Sequence, residues 1–254
     1  MSQSTRAWTT ERLKALSGEF EGKSPQEIGA WALEEFHPDI ALSCSFGGPG
    51  GVALVDMLAR IRPDVRVIYL DTELLFPETY RTRDRLVERY GIRPAAYRAA
   101  LSPGDQARVQ GPELYARDPD LCCHLRKVLP MRQALQGLSA WITAVRRDQG
   151  PTRARTGIVE WDANFNLVKV NPLANWTEEK VWEYIQRHDV PYNPLHDRNY
   201  SSIGCWPCTR QVKEGESLRA GRWADFSKTE CGLHLSPAPE GNGRNGAASP
   251  IAKE

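Results

Sequence analysis

Long apolar runs are missing from this 254-residue chain. None approaches the roughly 20 residues that a membrane span requires, so no membrane association is expected. Residues 1–11 have no apolar core of the kind an export signal carries. A surplus of either charge is missing too, with 33 Lys and Arg against 32 Asp and Glu. That balance excludes bulk attraction to nucleic acid or to an anionic surface, so any anion site must be local. Nor is there an internal repeat. The expectation is a soluble, cytoplasmic protein, long enough to bury a core without disulfide staples and to form one α/β domain with an appendage.

Cysteine is what the sequence does have: Cys44, Cys122, Cys123, Cys205, Cys208 and Cys231. In a reducing compartment, clustered thiols more often serve metals or redox chemistry than structural bridges.

Ser24, Pro25 and Glu27 predict a capped helix start, the helix running to about Phe36 and stopped by Pro38. A short apolar strand follows over residues 39–43, then a glycine-rich turn. Val52, Val55, Leu58 and Ile61 recur at helical spacing, and residues 65–70 form a β-branched run, completing a βαβ unit. The spacing predicts further helices over 77–90, 121–136 (bent or broken at Pro130) and 177–188, and strands over 95–99 and 141–145. Beyond Arg146 the pattern loosens. From Tyr200 periodicity disappears, so that segment needs a metal or docking on the core to be ordered. Residues 236–254, rich in Gly, Pro, Ala and Asn, are expected to be disordered. The fold class expected is α/β, a mainly parallel sheet with helices on both faces. Ligands in such folds sit at the carboxyl ends of the strands. The loop over 43–51, the Asp71-Thr72-Glu73 turn and the arginine-rich stretch 146–155 all fall there.

The turn holding Gly47, Gly48, Gly50 and Gly51 lies between strand and helix, where amides and a helix N-terminus can face an anion. Ser43 and Ser45 add hydroxyls. It is neither a Walker A loop nor a dinucleotide GxGxxG. A tight turn with no ligand would also be glycine-rich, but the position after a buried strand favours phosphate. Cys205-Trp206-Pro207-Cys208 is a CxxC, and Cys122 and Cys123 are adjacent. Neighbouring side chains on a helix diverge by about 100°. Adjacent thiolates therefore suit different irons of a cluster better than one tetrahedral ion. Four thiolates are the usual complement of a cubane. A four-Cys zinc site is the competing reading, and a CxxC redox pair would leave the vicinal thiols idle.

Cys44, at an apolar strand end, reads as a packed thiol. Cys231 is flanked in sequence by Arg219, Arg222, Lys228 and His234, cationic neighbours that favour a nucleophilic thiolate, while Asp225 and Glu230 oppose them. The alternative is an inert exposed cysteine. The remaining basic residues come in short groups, Arg146 with Arg147 and Arg153 with Arg155, and Lys127 follows Cys123 by one helical turn. A small, multiply anionic ligand accounts for them better than nucleic acid, which asks for a broader basic stripe.

Ser43-Cys44-Ser45-Phe46-Gly47, Tyr69-Leu70-Asp71-Thr72, Leu75-Phe76-Pro77-Glu78-Thr79-Tyr80, the stretch from Arg146 to Arg153, and Glu230-Cys231-Gly232-Leu233-His234 together resemble the assimilatory sulfonucleotide reductases. The resemblance runs from about Asp39 to His234. With its Cys-Cys and Cys-x-x-Cys, the chain is similar to the iron–sulfur branch, which mostly reduces adenosine 5′-phosphosulfate. The resemblance implies an adenine nucleotide alpha hydrolase-like fold and a [4Fe-4S] cluster on Cys122, Cys123, Cys205 and Cys208. It implies that the nucleophile is Cys231, which takes the sulfonate as an S-sulfocysteine, from which thioredoxin or a glutaredoxin-like reductant releases sulfite. Ser45, Phe46, Gly47, Leu70 and Thr72 would hold the nucleotide. Lys127, Arg147, Arg153, Arg219, Arg222 and His234 would face its anionic part. The family also implies a homodimer or homotetramer.

The organisation expected is an N-terminal helical segment (1–38), a nucleotide- and cluster-binding domain (39–218), a mobile segment with the catalytic cysteine (219–235) and the tail (236–254). Three other readings compete. One is the same chemistry on the 3′-phosphorylated nucleotide. Another is an ATP pyrophosphatase that adenylates a substrate, although Gly50 and Gly51 stand where its loop would carry Asp-Ser. The third is a zinc-stabilised nucleotide-binding module in which Cys231 is idle.

Overall fold

Ser24 caps its helix as its chemistry dictates: its hydroxyl accepts from the Glu27 N–H at 3.2 Å while the Glu27 carboxylate accepts from the Ser24 N–H at 2.8 Å. The computed structural model describes residues 8–234. In chain order these form α1 (Thr10–Glu19), α2 (Pro25–Phe36), β1 (Ile40–Ser43), α3 (Pro49–Ile61), β2 (Val67–Leu70), α4 (Pro77–Tyr90) and β3 (Ala95–Tyr97). There follow α5 (Pro103–Gln110), α6 (Leu114–Arg117), α7 (Pro119–Cys123), α8 (Leu129–Ala134), β4 (Ala140–Ile142), β5 (Val159–Asp162), β6 (Leu167–Val170) and α9 (Glu178–Arg187). The disorder expected of 236–254 falls outside the described residues.

The sheet order is β3-β2-β1-β4-β6-β5, parallel throughout except for β5, which runs antiparallel to β6 at one edge. The α/β reading holds. Its omission was the β5–β6 hairpin, whose outer strand mixes Glu160 and Asp162 with apolar residues and leaves Trp161 42% exposed, so it lacks the continuous apolar run of a buried strand.

Strand alternation sends side chains to two cores. Ile40, Leu42, Val67, Tyr69, Ala140, Ile142, Val168 and Val170 pack with α2, α3 and α9 on one face. Ala41, Ile68, Trp141 and Leu167 pack with Met131 and Ala134 of α8 on the other, where Leu233 from the chain's end joins them. On the first face Asp56 of α3, fully buried, accepts from Arg60, from Tyr90 of α4 at 2.6 Å and from Tyr184 of α9 at 2.5 Å. One carboxylate thus ties three helices and fixes α3, whose N-terminus meets the glycine turn.

The single helix expected over 121–136 is three pieces. A π-helical stretch, His124–Val128, separates α7 from α8. Pro130 has no N–H for a regular ladder, and the wider turn ahead of it is how the backbone accommodates this.

Candidate active site

The carboxyl ends of β1, β2 and β4 open on a cavity of about 260 Å³. Ser43, Cys44, Ser45 and Gly48 to Gly51 form one wall, Leu70 and Thr72 another, and Thr143 to Arg146 a third. Residues 201–205 and the segment from Leu218 to His234 close it, bringing Arg219, Arg222, Cys231 and His234 to the same space as Lys127 and Arg153.

None of Gly47, Gly48, Gly50 and Gly51 takes a left-handed backbone; Phe46 does, at φ 55°. The glycines serve close approach instead. A Cβ on Gly51 would stand 3.1 Å from Cys44 Sγ, and one on Gly50 3.3 Å from Ala144 Cβ. Gly47 abuts the Ile203 backbone, and its carbonyl lies 2.9 Å from His196 Nε2. Phe46 is buried edge-on against Tyr69 and, with Gly47, stands behind the cavity wall rather than on it. Cys44 is the packed thiol its setting suggested. Burial pushes it up to about 12, against an N–H contact from Phe46 at 3.4 Å.

Arg147 does not face the cavity. Its guanidinium forks onto Glu21 at 2.6 and 3.0 Å and reaches the Thr156 carbonyl at 2.8 Å. Its neighbour Arg146, which the sequence reading did not single out as a site residue, does line the cavity, held by Asp148 and Glu178, each at 2.9 Å.

Cys122, Cys123, Cys205 and Cys208 line one small cavity beside Leu74, Tyr115 and Arg126. Among the described residues no three His, Cys, Asp or Glu side chains are drawn together tightly enough to enclose a single metal ion. Burial raises the thiols of Cys122, Cys123 and Cys208; thiol neighbours add to the rise, and Cys208 reaches about 12. The CxxC is brought here by backbone pairing. Cys205 bridges Leu75, the Trp206 N–H donates to the Leu74 carbonyl at 2.8 Å, and Thr72 Oγ1 lies 3.2 Å from Cys205 Sγ. The turn after β2 therefore touches the larger cavity and the thiol cavity at once. Arg126 pins it from below, donating to the Thr72 carbonyl at 2.8 Å, to Glu73 at 2.7 Å and to Gln106 at 3.2 Å. This arginine carried no signal in the sequence beyond its place after the vicinal cysteines.

Lys127 and Cys205 line both cavities. Burial works to lower the Lys127 ammonium, but the thiols of Cys205, Cys123 and Cys231 outweigh it and hold the group above its ordinary value. Arg222 lies flat against Gly204, where a Cβ would strike its guanidinium, and 4.4 Å over the Trp223 ring. Among the described residues nothing accepts from its Nε. Cys231 is half-buried, within electrostatic reach of Lys127, Cys123 and Arg219. His234 stacks on Trp141 at 5.7 Å, and burial first, then Lys169, Arg153 and Arg219, drives it well below the usual imidazole range.

The segment after Tyr200, aperiodic in sequence, is ordered by docking. Thr209 bridges Arg222, and the Trp223 N–H donates to the Cys208 carbonyl at 3.1 Å. Lys228 pairs with Asp120, and Leu233 enters the second core.

A family model described as the phosphoadenosine phosphosulfate reductase domain matches residues 39–211. The adenosine 5′-phosphosulfate reductase of Salinibacter ruber is 48% identical over 239 residues, 94% of either chain. Its namesake in Staphylococcus haemolyticus is 44% identical, covering 89% of this chain and 93% of that one. The crystal structure of phosphoadenylyl-sulfate reductase from Candida auris, a phosphate complex, superposes with a TM-score of 0.71 at 30% identity, over 84% of this chain and 99% of that one. FMN adenylyltransferase from Candida glabrata reaches 0.52 at 13% identity over 84% and 71%, a likeness of fold alone. No helix among the described residues is long and apolar enough to cross a membrane.

Proposed function

The chain belongs to the phosphoadenosine phosphosulfate reductase domain family, and from that premise we propose that it reduces adenosine 5′-phosphosulfate to sulfite and AMP at Cys231. The observation that carries the reading is the position of Cys231. It stands on the wall of a cavity whose far side is the β1–α3 turn and whose rim holds Lys127, Arg219 and Arg222.

The chemistry brings an anionic thiolate to an anionic sulfonyl group, so positive charge must offset repulsion and steady the phosphate oxygen as it leaves. Lys127 and Arg222 supply that charge, with Arg219 behind them. The Cys231 thiolate attacks the sulfur, forming an S–S bond while the S–O bond breaks, and AMP leaves with the electron pair. A thiolate of thioredoxin, or of a glutaredoxin-like protein, then attacks Cys231 Sγ and displaces sulfite. The second thiol of the reductant resolves the mixed disulfide, so two electrons pass from dithiol to sulfur. Ser45, Gly48, Leu70 and Thr72 border the space for the nucleotide, with Phe46 and Gly47 shaping the wall from behind.

Cys122, Cys123, Cys205 and Cys208 are the donor set for a [4Fe-4S] cluster: four soft thiols on one cavity, two of them adjacent in the chain and so turned toward different irons. Held by these four residues, a cluster would order the Cys122 helix and the Cys205 loop and would add its charge to the field at Lys127; no electron need pass through it, because thiols supply both. The unphosphorylated nucleotide is favoured over its 3′-phosphate because these cysteines accompany 41–48% identity to relatives that carry the adenosine 5′-phosphosulfate reductase name. A homodimer or homotetramer in the cytoplasm remains part of the proposal.

The test is anaerobic turnover of both nucleotides, with a single-turnover assay for labelled S-sulfo-enzyme. Wild type should form it from adenosine 5′-phosphosulfate, and Cys231→Ser with full iron content should not. Label on the serine variant, or faster turnover of the 3′-phosphorylated nucleotide, would overturn the assignment.

A further inference from the structure

Glu230, the residue before the proposed nucleophile, is only 5% exposed. Arg153 grips its carboxylate with two parallel bonds, Nε to Oε1 at 2.8 Å and Nη2 to Oε2 at 2.7 Å. The Thr152 hydroxyl donates to Oε1 at 3.2 Å. Arg219 Nη2 donates to the Thr229 carbonyl at 2.8 Å and approaches Oε2 at 3.4 Å. Every one of these partners is a donor, so the site is complete for a carboxylate and for no neutral side chain.

The arrangement joins two parts of the chain far apart in sequence. Arg153 and Thr152 belong to the turn after β4, on the body of the domain, whereas Glu230 and Cys231 belong to the segment that closes the cavity. The fork also commits most of the donors of Arg153, three of its five N–H groups, although the residue borders the cavity. Two of its nitrogens are taken by Glu230, and Nη1 donates to Gln149 at 2.5 Å.

We propose that Glu230 is a positioning residue for Cys231, a carboxylate latch that closes the tail by gripping Arg153, and that Arg153 serves this latch rather than the substrate's phosphate. This rests on the proposed function, because it gives the latch two duties. Closed, it holds the thiol against the nucleotide for sulfonate transfer; open, it lets the thiol meet a reductant too large to enter the cavity. A bidentate Arg–carboxylate pair suits that work, being directional when made and readily solvated when parted. Glu230→Gln keeps the size but removes the charge and turns one acceptor oxygen into an NH2 that faces donors, so it should leave the tail ajar without unfolding the domain.

The first test needs no turnover. In the iron-loaded enzyme without nucleotide, the alkylation rate of Cys231 by iodoacetamide is followed by peptide mass. Glu230→Gln should raise it about tenfold or more, while Thr152→Val, which keeps the ion pair and loses one donor, should fall between. The second test separates the steps. Glu230→Gln should slow S-sulfo-enzyme formation in kcat with little change in KM, and should release sulfite from preformed S-sulfo-enzyme to thioredoxin at least as fast as wild type. Glu230→Asp should recover part of the first step. Unchanged alkylation in both variants, or a purely KM defect in Glu230→Gln, would overturn the latch. If wild type formed no S-sulfo-enzyme, the proposed function would fall, and the alkylation rates would still decide whether Glu230 closes the tail.

Discussion

Lys127 reaches Cys123 from one helical turn away, its Nζ 3.8 Å from the Sγ, and the same ammonium lines the cavity that holds Cys231. Among the described residues no other cation borders both that cavity and the smaller one lined by the four thiols; Arg126 faces only the latter. The π-helical stretch carries Lys127 to this position, since it lies within His124–Val128 directly after the cysteine pair.

Removing that charge tests the proposed sulfonate transfer. Lys127→Met should lower the rate of S-sulfo-enzyme formation by roughly a hundredfold or more, the scale of deleting one buried donor from a charge-stabilising site. Single-turnover measurement at saturating nucleotide reads it. A loss under about threefold would show that Arg219 and Arg222 suffice.

Gly51 and Cys44 make a separate prediction about packing. The 3.1 Å approach of a Cβ to the Cys44 sulfur leaves no room for a methyl, and both residues are buried. Gly51→Ala should therefore cost about 1–3 kcal/mol of stability, an overpacking cost. Cys44→Ala vacates the contested space, so the double variant should recover much of that loss. Urea denaturation of all four members of the cycle gives the coupling energy; additive costs would mean that the glycine answers to something else.

Much of this site was legible in the sequence because its chemistry is local. The capped start at Ser24, the βαβ unit ending at Leu70, and the grouping of the cysteines each follow from neighbours a few residues apart. What was hidden depended on tertiary contact. Arg147 and Arg153 look alike in the chain, yet one turns to Glu21 and the other to Glu230, 126 and 77 residues away. Phe46 stood in a motif as a ligand-holding residue but is buried against Tyr69, and the left-handed backbone of the turn falls on it rather than on a glycine. The β5–β6 hairpin was hidden because its outer edge strand, Val159–Asp162, is half polar and only half buried, with no apolar run to mark it. Arg126 was unremarked because its partners Thr72, Gln106 and Glu73 lie in other elements.

Asp71 carries a pH signature. It accepts from Tyr80 at 2.6 Å, from Arg98 at 2.7 and 2.9 Å and from the Glu73 N–H at 3.0 Å. Burial works to raise its carboxyl, and the Tyr80 and Arg98 bonds outweigh burial, so it titrates below the usual aspartate range. A carboxyl lowered by folding stabilises the fold above its unfolded value, about 3.9, and that contribution fades as pH drops through the folded value. Asp71→Asn should cost about 1–3 kcal/mol at neutral pH. The gap from wild type, measured by urea denaturation, should hold down to about pH 4 and narrow below it. A gap that widened in acid would contradict the assignment.

Loss of iron should be felt beyond the four thiols, because the CxxC loop is clipped on both sides. One clip is the Leu75–Cys205 bridge to the turn after β2; the other is the Trp223 N–H on the Cys208 carbonyl, at the root of the segment that carries Cys231. A metal site that orders its ligands' backbone contributes its binding energy to that local fold. Stripping the cluster from the proposed holoenzyme with chelator and oxidant, then re-reducing the thiols, should raise amide exchange across 119–128 and 203–210. The increase should extend through 222–233, while the β1–β2 and β1–β4 ladders keep their protection. Exchange confined to the cysteine loops would mean that the Trp223 clip does not transmit cluster loss to the tail, and unchanged exchange everywhere would mean that docking alone orders the segment.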